Sequence, residues 1–510
     1  MSFCTVLSAA VQGLSVEMIR VEADVSNGLP MFHMVGYLSS EVKEASERVR
    51  TAIRNSGMKL PAKKIIVNLA PATVRKRGAS FDLPIALAVL AAMNYVAEEA
   101  LKGVAVIGEV SLEGKIRGVS GVLPIVMEAK NQGCTACILP EENEIEGRLV
   151  SGIKILPADN LEKLCAYLNG DEKEIHRKKQ GRSSAQRNIF ENKKEDFSDI
   201  CGQNAVKRAA EIAVAGGHNL LMAGPPGSGK SMIARRIATI LPELSLEESL
   251  EITRIYSVLG MIDKEQPLIT RRPFRSVHHT ITKTALVGGG MTPRPGEISM
   301  AHGGVLFLDE LAEFPRNVLE VLRQPLEEHQ IHIARNYGNF TFPAEFMLVA
   351  AMNPCPCGNY PDMQKCSCTP SQIQKYLGKV SQPFLDRMDL CIETPKVEYR
   401  ELDIERIGKK EEESSEVIRS RVVEARKLQK KRYEGTQIRT NSMLGPGEIR
   451  TYIPLGSAER KLMEKAFERM GLTARTYHKI LRVARTIADL DYSKKVTEKH
   501  LKEAIAYRSL

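Results

Sequence analysis

The sequence predicts an α/β protein of several domains, because two segments that alternate strand and helix patterns precede a segment that is helical throughout. The chain has 510 residues, 43% of them hydrophobic, and is too long for one hydrophobic core. Residues 171–194 contain eight Lys or Arg against four acidic side chains and almost no apolar ones. Since no core can form there, we expect a basic linker at 171–197 between the first two domains.

The amino-terminal domain, residues 1–170, is predicted to be α/β or α+β. Strand-like runs at SVEMIRVEADV, KKIIVNLA, GVAVIGEV and ACILP alternate with helical patterns. The apolar run LPIALAVLAAM at 83–93 is far shorter than the ~20 residues of a membrane span, so we interpret it as a buried helix. The start of the chain has no basic region before its apolar residues. We therefore expect no signal peptide, no membrane association and a cytoplasmic location.

The central domain, residues 198–395, has the pattern of a doubly wound parallel sheet, with strands at HNLLMAG, VLFLDE and EFMLVAAMNP among helices. The first strand leads into GPPGSGKS, which satisfies the pattern G-x-x-x-x-G-K-[ST]. In this motif backbone N–H groups surround phosphates, the lysine reaches the outer phosphates and the serine hydroxyl binds Mg²⁺. The segment MIARRIATIL then forms a helix whose positive end faces the anion. The predicted ATP-binding residues are Gly224, Pro225, Pro226, Gly227, Ser228, Gly229, Lys230 and Ser231.

Polar side chains follow the two other strands of this sheet. Asp309 and Glu310 end the strand VLFLDE, and Asn353 ends EFMLVAAMNP. Asp309 is predicted to hold Mg²⁺ through water, Glu310 to polarise the attacking water and Asn353 to orient water near the γ-phosphate. An acidic strand end by itself is usually only a solvated terminus. Together with the phosphate loop upstream, these residues predict ATP hydrolysis.

Two arginines complete the pattern. Arg387 lies in the short turn QPFLDRMDL, and Arg475 begins the helical segment ARTYHKILRVARTIADLD. The order of loop, acidic strand end, asparagine and two arginines resembles the AAA+ ATPases, specifically the magnesium-chelatase and MCM-like branch. The resemblance implies that Asn353 is sensor 1, that Arg387 is a finger reaching a neighbouring subunit's ATP and that Arg475 is sensor 2. A finger that acts in trans implies a ring, expected to be a homo-hexamer.

Two insertions provide candidate DNA contacts. The glycine-rich segment at 275–304 resembles the insertion that interrupts the second AAA+ helix in this branch, and residues 325–346 predict two strands around a turn, like the pre-sensor hairpin. In relatives such loops point into the ring pore. Lys283, Arg294 and Arg335 are therefore candidates for gripping a phosphate backbone, although each alone reads as a solvated loop charge. The net charge of +10, and the stretch 421–439 with seven Lys or Arg against two acidic residues, also permit a polyanionic partner.

Four cysteines cluster in NPCPCGNYPDMQKCSC as two C-x-C pairs separated by eight residues. Four thiolates at hairpin-like spacing suit tetrahedral Zn²⁺ in a closed structural site. Because C-x-C is tighter than the usual C-x₂-C, both a structural zinc and four reduced thiols stay open. The residues concerned are Cys355, Cys357, Cys366 and Cys368.

Residues 108–143, from GEVSLEGKIR to ILPEEN, resemble the catalytic domain of Lon protease. A Lon-like site needs a serine nucleophile and a lysine base. Ser80 lies where the nucleophile would fall, but Leu123 stands in place of the lysine. We therefore expect a Lon-like fold without protease activity. The pair in CTAC, Cys134 and Cys137, enters an apolar strand and is predicted to be buried packing.

From residue 396 to 510 every periodic segment is helical, which predicts an all-α lid domain. Taken together, these features resemble the YifB/ComM family of magnesium-chelatase-like ATPases over nearly the whole chain. The resemblance implies a hexameric, ATP-driven motor that migrates branched DNA as incoming strands are integrated in natural transformation. It implies ATP and Mg²⁺ as cofactors, and single-stranded or branched DNA and recombination proteins as partners.

Three alternatives stay open. A chelatase motor subunit would use the same ATPase to remodel a protein partner, but lacks a Lon-like domain. A nucleotide-gated scaffold would change shape without translocating, and could dispense with Glu310 and Arg387. An ATP-dependent protease would need the base that Leu123 replaces.

Overall fold

The computed structural model describes residues 3–171, 195–335, 338–396 and 412–508. The predicted basic linker lies almost wholly outside the described residues, as does the start of the predicted lid domain at 397–411. The described residues form an α/β multidomain structure with a mixed sheet, a parallel sheet and a helical carboxy-terminal region.

A mixed seven-stranded sheet, in the order β3-β4-β2-β1-β5-β8-β9, organises the amino-terminal domain. Its strands, with the short hairpin β6–β7, are β1 Phe3–Gln12, β2 Ser15–Ser26, β3 Met31–Val35, β4 Lys64–Ala70, β5 Val104–Val106, β6 Glu109–Val110, β7 Ile116–Arg117, β8 Ala136–Pro140 and β9 Lys154–Ala158. Its helices are α1 Ser40–Asn55, α2 Asp82–Ala92, α3 Val122–Asn131, α4 Glu144–Gly147 and α5 Leu161–Leu168. The pairs β1–β2 and β2–β4 are antiparallel, and the remaining neighbours in the sheet are parallel.

Apolar clusters cover both faces of this sheet. Helices α1, α2 and α5 share one cluster with the strands, while α3 belongs to another. Every residue of α2 is buried, which confirms the predicted buried helix. Cys134 and Cys137 are also buried, and burial raises the pKa of the Cys137 thiol to about 12, as expected for packing residues. Among the described residues, no helix combines the length and apolarity needed to span a membrane.

The central domain is built on a five-stranded parallel sheet in the order β11-β14-β17-β10-β18. The central strands, including two antiparallel hairpins, are β10 Leu220–Ala223, β11 Phe274–Val277, β12 Gly288–Gly289, β13 Arg294–Pro295, β14 Val305–Leu308, β15 Gln330–Arg335, β16 Gly338–Pro343, β17 Met347–Met352 and β18 Leu390–Glu393. Because the strands run parallel, the ends of β10, β14 and β17 meet at one edge. The hairpin β15–β16 confirms the strand pair predicted before sensor 1.

Helices flank this sheet and continue into the carboxy-terminal region. The central helices are α6 Asn204–Gly216, α7 Lys230–Ile237, α8 Leu246–Leu259, α9 Lys283–Val287, α10 Glu297–Met300, α11 Arg316–Glu320, α12 Pro325–Glu328, α13 Pro370–Leu377 and α14 Gln382–Leu385. The carboxy-terminal helices are α15 Ser415–Arg432, α16 Pro446–Tyr452, α17 Ser457–Met470, α18 Ala474–Leu490 and α19 Glu498–Ala506. One apolar cluster joins α6 and β10 to α15 and α18, so the helical region packs on the nucleotide-binding sheet.

The basic stretch 421–439 is used partly for packing, because three of its arginines contact neighbouring helices while Lys427, Lys430, Lys431 and Arg439 are exposed. Arg421 pairs with Glu211 of α6, and Arg426 donates to the carbonyl oxygen of Val214 at 2.7 Å. Arg432 donates to the buried carboxylate of Asp489 on α18. These three arginines therefore pack α15 against neighbouring helices, and the prediction that the stretch permits a polyanionic partner rests on the four exposed basic residues.

The amino-terminal domain contacts the central domain at the end of α8. The Ser257 hydroxyl donates to Oε1 of Glu146 at 2.6 Å, and the backbone N–H of Leu123 donates to the same oxygen at 2.9 Å. Burial raises the pKa of Glu146, although these hydrogen bonds oppose the shift. Leu123 is fully buried here, so the position where a lysine base would stand serves packing next to an interdomain contact.

Candidate active site

The phosphate loop joins β10 to α7 in the order that the sequence predicts. Gly224 has to lack a side chain, because a Cβ there would lie 2.2 Å from the carbonyl oxygen of Thr394, just after β18. Gly227 and Gly229 have φ angles of 76° and 83°, which glycine adopts without strain. The Lys230 ammonium donates to the carbonyl oxygens of Gly224 at 2.7 Å and Pro225 at 2.9 Å. The lysine is thus folded over the loop whose phosphates it is predicted to contact.

Oxygen ligands suited to Mg²⁺ lie together beside this lysine. The Ser231 hydroxyl donates to Oδ2 of Asp309 at 2.6 Å, joining the first turn of α7 to the end of β14. A hydroxyl and a carboxylate are the hard oxygen donors that Mg²⁺ takes alongside nucleotide phosphates. These two residues therefore fit the predicted metal. Burial lowers the pKa of Lys230, and the Asp309 carboxylate opposes that shift.

Glu310 has an unusual backbone conformation. Its φ of 53° and ψ of 48° place a residue with a Cβ in the left-handed region, a strained arrangement that concentrates at functional sites. Its N–H donates to Oδ1 of Asp309 at 2.9 Å. Its side chain is 54% exposed, and Oε2 lies 3.2 Å from Nδ1 of His279. The carboxylate thus extends from the sheet edge, where a general base needs to reach water.

His279 was missed by sequence reasoning. It follows β11, which neighbours β14 in the sheet, and this adjacency brings it to Glu310. The His278 ring packs on it with ring centroids 4.0 Å apart. The pair HH directly after a short strand was the available signal, but the strand order was needed to see which strand end it would face.

Asn353 joins the site from the end of β17. Its Oδ1 accepts from the Lys230 ammonium at 3.3 Å, so the predicted sensor touches the predicted phosphate-binding lysine. Strand β17 lies between β10 and β14, which brings the loop, the acidic residues and this amide to one edge. The structure therefore places the predicted nucleotide-binding and hydrolytic residues together.

The four clustered cysteines come together two residues after Asn353. One ligand atom from each of them lies within 4.8 Å of all the others. Sulfur atoms are 3.4 Å apart between Cys355 and Cys357, 3.8 Å between Cys355 and Cys366, and 3.6 Å between Cys357 and Cys366. Four thiolates around zinc at ~2.3 Å have sulfur separations of about 3.8 Å. The residues fit tetrahedral Zn²⁺.

Backbone N–H groups donate to sulfur atoms of this knuckle. The N–H of Asn359 is the main group that lowers the pKa of Cys357, and the N–H of Tyr360 donates to Sγ of Cys355 at 3.4 Å. The knuckle also contacts the phosphate loop. Gly358, with φ of 79°, approaches so closely that a Cβ would lie 2.3 Å from Cδ of Pro226.

Arg387 lies at the opposite end of the sheet from the phosphate loop. Its carbonyl oxygen accepts from Nδ2 of Asn219, the residue before β10, whereas the loop begins after β10. Four residues of strand at about 3.3 Å each separate these ends by roughly 13 Å. The backbone of Arg387 is therefore separated from the phosphate loop of the same chain by the length of β10.

Arg475 lies beside Arg387 rather than at the loop. Both guanidinium groups contact Oε1 of Glu327 on α12, and the Arg387 contact is 2.8 Å long. Arg387 is 7% exposed, while Arg475 is 44% exposed. Glu327 was not singled out from the sequence, where EE in PLEEHQ looks like any charged turn. The two predicted arginines form one cluster with this carboxylate.

Asp389, the acidic residue of the turn that carries Arg387, anchors this cluster. Its carboxylate accepts from the N–H of Asn219 at 3.0 Å and lies 3.0 Å from the Lys479 ammonium. Burial alone would raise the pKa of Asp389, but the Lys479 ammonium, His218 and the N–H of Asn219 together outweigh burial, and the pKa falls to about 2. The turn is thereby fixed between the start of β10 and α18.

The three candidate DNA contacts are exposed, two of them on adjoining hairpins and one on the helix that leads into the first hairpin. Lys283 begins α9, Arg294 lies on β13 and Arg335 ends β15. Nε of Arg335 donates to the carbonyl oxygen of Gly290, in the β12–β13 turn, at 3.4 Å. The two predicted insertions therefore touch, and their basic residues belong to one region of the surface.

Comparisons with known proteins show which family the chain resembles. A family profile described as magnesium chelatase, subunit ChlI, matches residues 196–402, and its carboxy-terminal counterpart matches 412–508. The chain is 44% identical to YifB of Escherichia coli over 510 residues, which cover 100% of this chain and 98% of the relative. It is 42% identical to the competence protein ComM of Haemophilus influenzae, with 100% and 98% covered. The chain belongs to the YifB/ComM family.

As a YifB/ComM protein it also has a more distant similarity to chelatase subunits. It is 29% identical to the magnesium-chelatase 67 kDa subunit of Chlorobaculum parvum over 164 residues, 31% of this chain and 23% of the relative. A profile described as subunit ChlI of Mg-chelatase matches residues 21–143 of the amino-terminal domain. The family is therefore magnesium-chelatase-like and AAA+ in type, and the Lon-like relationship of the first domain stays a prediction.

Proposed function

We propose that this protein hydrolyses ATP as a ring-forming AAA+ motor, expected to be a hexamer, that acts on DNA. Its proposed activity is branch migration during recombination of incoming DNA. The observation that carries the proposal is that the predicted catalytic residues lie in two groups, at opposite ends of the parallel sheet. Lys230 and Asp309 lie at one end, and Arg387 and Arg475 lie at the other.

ATP bound with Mg²⁺ would supply the phosphoanhydride and a cation that neutralises its charge. Lys230 would then exchange its contacts with Gly224 and Pro225 for the outer phosphates. Ser231 and Asp309 offer the metal-binding oxygens. Glu310 projects from the same edge to accept a proton from water, and Asn353 holds the amide that orients that water.

The arginines are proposed to complete the site of a neighbouring subunit. At the amino end of the sheet neither can serve its own phosphate loop, yet both are fixed in place, Arg387 by the anchored turn and Arg475 by α18. Guanidinium groups suit phosphate because they are permanently charged and donate several hydrogen bonds. A ring places one subunit's amino end against the next subunit's carboxyl end at every interface.

DNA is the proposed track because exposed basic residues lie in the two inserted segments, which contact each other. Lys283, Arg294 and Arg335 can neutralise backbone phosphates without reading sequence, as a translocating motor requires. The similarity to a competence protein, which the relative's name records, points in the same direction.

The test is the ATPase rate of the purified protein without DNA and with single-stranded DNA, duplex or a labelled three- or four-way junction, with strand displacement followed in the same tubes. DNA-stimulated hydrolysis with ATP-dependent displacement of the branched substrate is the expected result. Hydrolysis indifferent to every DNA would contradict the DNA assignment and leave the ATPase assignment standing.

A charge-matched pair of variants sharpens this test. Replacing Lys283, Arg294 and Arg335 together by alanine should weaken DNA binding at least about tenfold and flatten its dependence on salt. Replacing the exposed Lys59, Lys461 and Lys465 removes the same charge elsewhere and should leave binding within about twofold. Equal losses in both variants would mean that net charge, rather than the hairpins, attracts DNA.

The alternative function is a chelatase-like motor that remodels a protein partner. The descriptions of the matching family profiles favour it, since all three name the chelatase subunit. The same experiment separates the two functions, because a partner-remodelling motor hydrolyses ATP without regard to DNA structure.

We also propose that the cysteine knuckle holds structural Zn²⁺. The bound metal would stiffen the knuckle where Gly358 packs against Pro226 of the phosphate loop. Elemental analysis of the purified protein should give about one zinc per chain. Cys357→Ser should lower that content and weaken ATP binding, whereas Cys391→Ser, outside the knuckle, should change neither. Full zinc loss with unchanged ATP affinity would contradict the stiffening role.

A further inference from the structure

Two arginines share one carboxylate oxygen at the amino end of the parallel sheet. Oε1 of Glu327 accepts hydrogen bonds from Nη2 of Arg387 and from Nη2 of Arg475. Glu327 lies on α12 and Arg475 on α18, and the two residues are 148 positions apart in sequence. Glu327 is 46% exposed. The guanidinium charges of both arginines lower the pKa of Glu327 against the opposing effect of burial, so this carboxylate stays ionised.

The two arginines differ in how firmly they are held. Arg387 is almost buried and also donates to the carbonyl oxygens of Pro383 and Arg323. It therefore keeps its place without Glu327. Arg475 is half exposed, and its guanidinium contacts the carboxylate from the first turn of its helix. One negative charge against two positive charges leaves the cluster net positive and able to accept a further anion.

Glu327 is connected to the β15–β16 hairpin through very few residues. Helix α12 ends at Glu328, and β15 begins at Gln330. Between them His329 has a φ of 54°, and its carbonyl oxygen accepts from the N–H of Ala344 just after β16. Helix α12 is thus tied to both strands at the base of the hairpin that carries Arg335.

We propose that Glu327 is a positioning residue that competes with a neighbouring subunit's nucleotide for Arg387 and Arg475. When the neighbour holds ATP, its polyphosphate carries several charges and displaces the single carboxylate. Freed Glu327 allows α12 and the attached hairpin to move. After phosphate leaves, the arginines return to Glu327. The proposal rests on the trans action proposed above and adds a route from the neighbour's nucleotide to this subunit's hairpin.

The test compares Glu327→Gln with Glu328→Gln in full-length protein, without DNA. Glutamine keeps the size and removes the competing charge, so the arginines are available to the neighbour's phosphates. KM for ATP should fall about fivefold, the change expected for losing one half-exposed ion pair. Glu328 lies on the same short helix but contacts Gln324 and His332 rather than an arginine, so its variant should keep the wild-type KM.

Unchanged or increased KM in Glu327→Gln would overturn the proposal, because a residue that merely positions the arginines would weaken ATP use when lost. A fold defect is separated by Glu327→Asp, whose shorter side chain keeps the charge and should restore most of the wild-type KM. The effect of Glu327→Gln should also vanish in a background with both Arg387→Ala and Arg475→Ala, because it acts through these two arginines. Persistence of the KM shift there would contradict the competition.

Coupling to the hairpin has its own readout. Glu327→Gln should hydrolyse ATP while displacing at least about fivefold less labelled strand per ATP than Glu328→Gln. Equal displacement per ATP in the two variants would remove the hairpin from the proposal. If wild-type protein ignores DNA, the DNA-motor function fails, but the KM comparison still decides whether Glu327 competes with nucleotide.

Discussion

The two ends of the five-stranded sheet bring their polar residues together in different ways. At the carboxyl end, Lys230, Asp309 and Asn353 meet through strand ends, and every group has a local partner that a nucleotide can replace. At the amino end, Arg387 and Arg475 meet through a carboxylate on a separate helix, with no phosphate loop nearby. Under the proposed function these two clusters are the halves of a site shared between subunits, and we call them the carboxyl half-site and the amino half-site.

The largest expected effect comes from breaking the amino half-site. Arg387→Ala should lower kcat about 10³-fold or more, the range that arginine fingers contribute to phosphoryl transfer. ATP binding should persist, because the phosphate loop is untouched. Steady-state hydrolysis and nucleotide binding measure the two effects separately. Arg469→Ala, an exposed arginine on α17, is the control and should leave kcat unchanged.

Breaking the carboxyl half-site should give a second large loss. Glu310→Gln should lower kcat about 10²-fold or more, since general bases contribute in this range, while the phosphate loop keeps ATP bound. Lys230→Ala should lose both binding and turnover. The control is Glu313→Gln, an exposed glutamate three residues on that pairs with Lys379. Unchanged hydrolysis by Glu310→Gln would remove this residue from the chemistry.

A smaller effect should come from the knuckle that supports the carboxyl half-site. Gly358→Ala places a methyl group against Pro226 and should raise KM for ATP about tenfold, because a small displacement of binding groups is costly. Gly435 has a similar φ of 80° with open space around its Cβ position. Gly435→Ala thus carries the same backbone strain, and equal KM values for both variants would contradict a role for the knuckle contact.

Much of the carboxyl half-site could be predicted from the sequence because its residues follow apolar strands directly. A short apolar run, a turn and a polar residue locate Lys230, Asp309 and Asn353 without knowledge of the strand order. His279 needed that order, since it faces Glu310 only because β11 neighbours β14. The buried helix α2 and the hairpin β15–β16 were also predicted from their periodicity.

The amino half-site could be predicted only in part. The turn around Arg387 has a recognisable pattern, but the Glu327 contact joins residues far apart in sequence and leaves no periodic signal. The basic stretch at 421–439 was also predictable only in part. Its seven basic residues suggested a surface for a polyanion, but Arg421, Arg426 and Arg432 contact groups on packed helices, and the other four are exposed. A count of charged residues does not show which of them form ion pairs or hydrogen bonds inside the folded protein.

The most direct test of the shared site mixes two inactive proteins. Arg387→Ala keeps a phosphate loop without a finger, and Lys230→Ala keeps a finger without a working loop. If the variants are combined before ring assembly, random order places an intact loop beside an intact finger at about a quarter of interfaces. Hydrolysis should then reappear at a substantial fraction of the wild-type rate. A mixture that forms rings containing both variants and stays as inactive as either protein alone would contradict a site shared between subunits.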